Sequence, residues 1–283
     1  MYKTLIAVDD LYRNIDAQEW VIVDCRFQIN DTEYGRRNYQ HTHILGAVYA
    51  HLNEDLSGPV VPGRTGRHPL PDLERITEIF SSMGIREGAQ VIAYDDAGGA
   101  LAAARLWWML NWLGHTAVAV LDGGWQIWQE RGYPTRGGFE TKPHRQFTPM
   151  LQDNMRASSV EVEVARQDDT CRVFDARTRE RFRGENETFD PVAGHIPGAH
   201  SAPYAENTRP DNSFLPKAEL RLRYEKLLSG ISAENAIFYC GSGVTAAHNI
   251  LAMAHSGLGM GRLYAGSWSE WITDPLHAVE KGD

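Results

Sequence analysis

One cysteine in this chain stands where nucleophilic chemistry would be expected. Cys240 opens the run Cys240-Gly241-Ser242-Gly243-Val244-Thr245, between an apolar stretch, Ala236-Ile237-Phe238-Tyr239, and a helix-forming one, Ala246-Ala247-His248-Asn249-Ile250-Leu251-Ala252-Met253. That order reads as strand, tight loop, helix. Gly241 and Gly243 permit backbone angles closed to other residues. A loop curled over the thiol can then turn successive N–H groups inward as an anion nest. The following helix adds the positive end of its dipole. Both effects favour thiolate over thiol, and the thiolate is the nucleophile. The other two cysteines, Cys25 and Cys171, lack such a setting. Most cysteines are simply buried apolar residues, and these two are read that way.

The elements that must position this loop recur twice along the chain. Val23-Asp24-Cys25-Arg26 answers to Phe174-Asp175-Ala176-Arg177, and His43-Ile44-Leu45-Gly46-Ala47 to His195-Ile196-Pro197-Gly198-Ala199. Val91 to Asp95 answers to Ala236 to Cys240, and Leu121-Asp122-Gly123-Gly124-Trp125 to Tyr264-Ala265-Gly266-Ser267-Trp268. The order is shared and the spacing nearly so: Asp24 to His43 is 19 positions, Asp175 to His195 is 20. A duplication at domain scale is the natural reading. Trp20 to Asp24, Val91 to Tyr94, Arg172 to Phe174 and Ala236 to Tyr239 are short apolar runs of the kind found in buried parallel strands. Leu73 to Met83 has helical apolar spacing, and Glu219 to Leu228 is a second helix candidate. The expected fold is α/β, with two tandem domains, each a parallel sheet flanked by helices. The boundaries fall at 1–135 and 158–283, with 136–157 as a linker containing Gly137, Gly138, Pro143 and Pro149. Ligands of such sheets sit beyond the carboxyl ends of the strands, and Cys240 lies at one of them. Asp95 takes its place in the first half. A carboxylate there would fill its own nest and lacks the thiolate's nucleophilicity, so the first domain is expected to be catalytically silent.

Composition narrows the partners. The 283 residues are 42% hydrophobic and 23% charged, with a net charge of −9. These values are globular, and the charge argues against nucleic acid or an anionic membrane as partner. A small anionic substrate stays compatible, because local N–H groups and arginines outweigh a distant net charge. Three cysteines are an odd number with no metal-site spacing, so no metal is expected. Free thiols suit the cytoplasm. The N-terminus lacks a signal-peptide core. The apolar stretch Leu101 to Leu121 is broken by Arg105, Asn111 and His115, which fits a buried helix and strand better than a membrane span.

The loop Cys240 to Thr245, together with Gly194-His195-Ile196-Pro197-Gly198-Ala199, Arg67-His68-Pro69-Leu70-Pro71 and Gly266-Ser267-Trp268-Ser269-Glu270-Trp271, resembles the tandem-domain rhodanese superfamily over nearly the whole chain. Within it the loop is most similar to that of the 3-mercaptopyruvate sulfurtransferases. The resemblance implies rhodanese-like domains and a persulfide on Cys240, with sulfane sulfur passing to a thiol, to thioredoxin or to cyanide without any cofactor. It implies a proton relay of Ser242 with His68, supported by an upstream acid for which Asn53 and Asp55 both remain open. It implies donor binding by Arg181 and by the loop itself, at Gly241, Gly243, Val244 and Thr245. Relatives often carry a second arginine before the Gly194–Ala199 motif, where this chain has Glu185 to Val192 and no arginine. The alternatives are thiosulfate as donor and a persulfide carrier or regulatory binding module. A phosphatase on the same fold is disfavoured, because the sixth residue after Cys240 is Ala246 and not the arginine that phosphoryl transfer needs. Trp107 and Trp108 are read as core, and Trp268 and Trp271 as candidates for lining the site.

Overall fold

The computed structural model describes residues 1–283. The chain forms two compact units. One comprises residues 1–58, 70–152 and 209–214, the other residues 59–69, 153–208 and 215–283. The passage between them at residues 152 and 153 falls inside the expected linker, whose earlier part packs with the first unit. Sequence reasoning did not anticipate that residues 59–69, which include His68, join the second unit, or that residues 209–214 join the first.

The first unit is built on a five-stranded parallel sheet in the order Leu5–Ile6, Val118–Leu121, Gln90–Tyr94, Trp20–Asp24, Val48–Tyr49. All five residues of Gln90–Tyr94 are buried, which explains the unbroken apolar run: a central strand covered on both faces has no polar side to alternate with. The helix Ala103–Trp112 is buried at every position, Trp107 and Trp108 included, so it belongs to the interior and has no solvent face. The helix Leu73–Ser82 starts at Asp72, whose side chain accepts the Arg75 N–H. No helix is long and apolar enough to cross a membrane.

The second unit has a four-stranded parallel sheet in the order Arg262–Leu263, Ala236–Tyr239, Arg172–Asp175, His200–Ser201. Its helices include Ser159–Ala165, opened by a reciprocal capping box between Ser158 and Glu161, then Lys217–Leu228 and Thr245–Ser256. The last of these ends at Gly257, which takes the left-handed conformation.

The duplication is visible as one buried polar cluster built twice. In the first unit the Asp24 carboxylate accepts from Nε and Nη2 of Arg26 and from the Tyr94 hydroxyl. The Arg26 guanidinium lies 4.4 Å from the Trp125 ring centre. In the second unit Asp175 accepts from Nε and Nη2 of Arg177, whose guanidinium lies 4.9 Å from the Trp268 ring centre. Ile44 N donates to the Tyr94 hydroxyl at 3.1 Å, and Ile196 N to the Tyr239 hydroxyl at 3.1 Å. The arginine after each strand is therefore a fold element. Burial works against the charge of Arg177, but Asp175 outweighs it and holds the guanidinium above its usual range.

Candidate active site

The strand Ala236–Tyr239 delivers Cys240 to its carboxyl end, and the loop then turns into the helix Thr245–Ser256. Gly243 makes that turn with φ +75°, and a Cβ there would lie 2.2 Å from the Ala265 carbonyl oxygen. The position therefore demands glycine on two counts, conformation and space. In return its N–H points at Cys240 Sγ, 3.2 Å away. The loop's carbonyls are held from the far side. Trp268 N donates to the Cys240 oxygen and Ser269 N to the Gly241 oxygen, each at 3.0 Å. Ser267 takes a left-handed φ of +56°, and its hydroxyl accepts the Cys240 N–H at 3.1 Å while donating to Tyr264 O at 2.9 Å.

The thiol of Cys240 is buried, 2% exposed. Burial alone pushes its pKa up. The Thr245 hydroxyl and the backbone N–H groups of Ser242, Ala246 and Val244 outweigh that push and hold the thiol below its ordinary value. The predicted nest is thus formed, and Thr245 is its largest single favourable contributor. Cys25 is also fully buried, but burial and the nearby Asp24 and Asp95 carboxylates drive its thiol well above the ordinary range. Cys25 is the buried packing residue that sequence reasoning expected, whereas Cys171, read the same way, is only half-buried because it precedes the strand Arg172–Asp175 in a surface turn.

Ser242 and His68 are brought together: the Ser242 hydroxyl lies 2.8 Å from His68 Nδ1, and both residues are buried. The segment carrying His68 is pinned at its neighbour, where Arg67 N donates to the Ser269 hydroxyl at 3.0 Å. Of the two open candidates, Asn53 and Asp55, the Asp55 carboxylate accepts the His51 N–H at 2.7 Å.

Arg181 lies on the short helix Arg179–Arg183, capped by the Thr178 side chain. Its guanidinium is 3.4 and 3.5 Å from the point where a Gly241 Cβ would stand. One edge is taken by Glu187, at 3.0 and 2.9 Å from Nε and Nη2, and Nη2 also meets Asp190 at 3.1 Å. Sequence reasoning missed Arg67. Its Nη2 lies 2.7 Å from the same Gly241 Cβ point, and its Nη1 pairs with the other oxygen of Asp190. Burial lowers the Arg67 pKa, with Cys240 opposing and Arg181 adding. Adjacency to His68 in the motif was the available signal. The missing side chain of Gly241 is what lets two guanidiniums stand beside the nucleophile.

Asp95, the counterpart of Cys240, fills its own nest as expected. Oδ1 accepts from Ala97 N and Gly99 N at 2.9 and 2.7 Å, and Oδ2 from Leu101 N and Ala103 N at 3.1 and 3.3 Å. Burial outweighs these donors and pushes the carboxyl up to about 6. Trp268 and Trp271 are fully buried in the second unit's core, with their indole N–H groups on Val192 O and Ala278 O. They pack the site's support and do not line it. One grouping, Glu33, His51 and Glu54, has the composition of a metal site. Both ring nitrogens of His51 are engaged by backbone, Nε2 with Thr32 O and Nδ1 with the N–H groups of Asn53 and Glu54. That leaves no lone pair for a metal.

A cysteine cradled this way, at the strand end of one of two duplicated α/β units, defines a class that comparison with known proteins bears out. The rhodanese-like domain family matches residues 7–131 and 159–274. The chain belongs to the rhodanese family. It is 42% identical over 280 residues to a Pseudomonas aeruginosa protein named a probable 3-mercaptopyruvate sulfurtransferase, covering 99% of this chain and 98% of that one. It is 37% identical over 286 residues to a Mycobacterium tuberculosis protein provisionally named a thiosulfate sulfurtransferase, at the same coverages. Among solved structures, SseA from Escherichia coli, a 3-mercaptopyruvate sulfurtransferase, superposes with TM-score 0.81 at 30% identity, over 95% of this chain and all of that one. The 3-mercaptopyruvate sulfurtransferase from Leishmania major superposes with TM-score 0.83 at 30% identity, over 95% of this chain and 74% of that one.

Proposed function

We propose that this protein is a sulfurtransferase that takes sulfane sulfur from 3-mercaptopyruvate onto Cys240 and passes it to a thiol, such as that of thioredoxin, or to cyanide. The observation that carries the reading is the buried Cys240 thiol, whose pKa Thr245 and the loop N–H groups hold below its ordinary value, with the Gly243 N–H 3.2 Å from its sulfur. In the first step the thiolate attacks the donor sulfur. A sulfur–sulfur bond forms, the donor's carbon–sulfur bond breaks, and its electron pair stays on the former CH2 carbon as the enolate of pyruvate. One proton converts that enolate to pyruvate. The Ser242 hydroxyl and His68, 2.8 Å apart, are the route by which it arrives. In the second step an acceptor thiolate attacks the outer sulfur and Cys240 leaves as thiolate, so no net oxidant or reductant is needed. The persulfide that stands between the steps is an anion, and the same cradle serves it.

Arg181, Gly241 and Gly243 shape the donor side of this pocket, and Val244 and Thr245 the thiolate side. The three unpaired cysteines favour a cytoplasmic setting. Mass spectrometry after donor treatment should find one added sulfur, on the peptide containing Cys240. Cys240→Ser should abolish turnover, while Cys25→Ser and Cys171→Ser keep it. Near-normal transfer by Cys240→Ser defeats the proposal. A second donor, thiosulfate, is favoured by the name of the Mycobacterium tuberculosis relative and by the second guanidinium beside Gly241. Comparing kcat/KM for the two donors on one preparation decides between them.

A further inference from the structure

We infer that Arg67 is the second guanidinium of the donor-anion site, and that Asp190, which bridges Arg67 and Arg181, sets the charge of the donor the site accepts. The inference rests on the reading of Cys240 as the nucleophile toward a small anionic donor. Two observations that this reading does not use carry it. Arg67 Nη2 and both Nη atoms of Arg181 converge on the bare face of Gly241, next to Cys240. Arg67 Nε, in turn, is buried with no acceptor in the protein. A guanidinium nitrogen left without an acceptor in a buried site is costly unless something anionic completes it.

Asp190 holds this pair in check. Its two oxygens are shared between Arg67 Nη1 and Arg181 Nη2, and its side chain is only 3% exposed. Arg177 and Arg181 both meet Glu187, and Arg177 also meets Asp175. Three guanidiniums therefore face three carboxylates, and the site is neutral before Cys240 ionises. Every unit of charge removed from Asp190 or Arg67 is felt once by a monoanionic donor and twice by a dianionic one. On a logarithmic scale the effect on thiosulfate is thus roughly double that on mercaptopyruvate. A neutral site with oriented N–H forks suits a single carboxylate, recognised by geometry. Asp190 is the residue that keeps a doubly charged donor from dominating.

The test uses the full chain and two readouts. Alkylation of Cys240 by iodoacetate and by iodoacetamide compares an anionic with a neutral probe of similar size, so their rate ratio reports the local field independently of sulfur transfer. Arg67→Gln should lower the iodoacetate-to-iodoacetamide ratio by about tenfold or more, the size expected for loss of one charge-assisted contact. Asp190→Asn should raise it, and Arg67→Lys, which keeps the charge, should hold most of the wild-type ratio. In turnover, Asp190→Asn should raise kcat/KM for thiosulfate by about the square of its factor for mercaptopyruvate. Unchanged ratios and unchanged donor preference in both Arg67→Gln and Asp190→Asn, with normal turnover, overturn the inference and leave the sulfurtransferase reading standing. Ratios that move as stated in a protein with no turnover on either donor support the anion site and defeat that reading instead.

Discussion

Thr245→Val isolates the feature on which the chemistry depends most. Thr245 is the first residue of the helix Thr245–Ser256, and its hydroxyl makes the largest single contribution to stabilising the Cys240 thiolate. Valine keeps the β-branched shape and removes only the donor. A hydrogen bond to a charged group contributes about 1.5–3 kcal/mol. At ~1.4 kcal/mol per pKa unit, that raises the thiol by roughly one to two units. At pH values below the wild-type thiol's pKa, the variant should alkylate with iodoacetamide about ten- to a hundredfold more slowly. The deficit should vanish at high pH, where both are thiolate. A pH profile of alkylation reads this directly, and Thr245→Ser should restore the wild-type curve. The sign also shows in stability. The folded thiol sits below its unfolded value, so the thiolate's contribution is present above the unfolded pKa and is lost as pH falls through the folded one. Thr245→Val should flatten that dependence in the mildly alkaline range. An alkylation profile that does not move would refute the claim that the hydroxyl, and not generic burial in a strand–helix loop, controls this thiol.

Other outcomes follow from the same geometry. Asp95→Ala should leave sulfur transfer intact. Its carboxyl is pushed up to about 6 by burial, so it contributes stability at acid pH that is lost as pH rises through about 6, and the variant's unfolding curve should lack that loss. Arg177→Met leaves Asp175 buried without its partner and should destabilise the fold by about 3–5 kcal/mol in denaturant unfolding, whereas a change below ~1 kcal/mol would show the pair to be dispensable. His68→Gln should lower kcat with mercaptopyruvate, which needs a proton delivered to carbon, more than the rate of Cys240 alkylation, which does not. Equal losses in the two would assign His68 to holding the loop.

The parallel sheets, the duplicated Asp–Arg motifs and the Cys240 nest were legible because each follows from local pattern: apolar runs, repeated motifs, glycines beside a cysteine. The order of strands within each sheet was not, because it is set by pairing between distant segments. Arg67 was not, and the reason is physical. Its relevance comes from a contact 174 positions away, through the missing side chain of Gly241, and nothing local to residues 59–69 says that this segment packs with the second unit. The two tryptophans near the last strand were legible as large apolar residues but not as core, because burial depends on which helix face turns inward.

What separates the Cys240 loop from its Asp95 counterpart extends beyond the exchange of cysteine for aspartate. In the first half the residue after Gly123 is Gly124, at φ +56°, and a Cβ there would meet Asp95 O at 2.3 Å. In the active half the same left-handed angle, φ +56°, is taken by Ser267. A non-glycine residue in that conformation costs about 1–2 kcal/mol, and such strain persists where the surroundings enforce it. Here the enforcement has a direction. The Ser267 hydroxyl accepts the Cys240 N–H and donates to Tyr264 O, tying the nucleophile's own peptide to the neighbouring strand end. The first-half loop has no thiol to aim, and it satisfies its nest with the Asp95 carboxylate. The active loop must leave its sulfur reachable, so its rigidity comes from a strained serine behind the nucleophile instead of an anion in front of it.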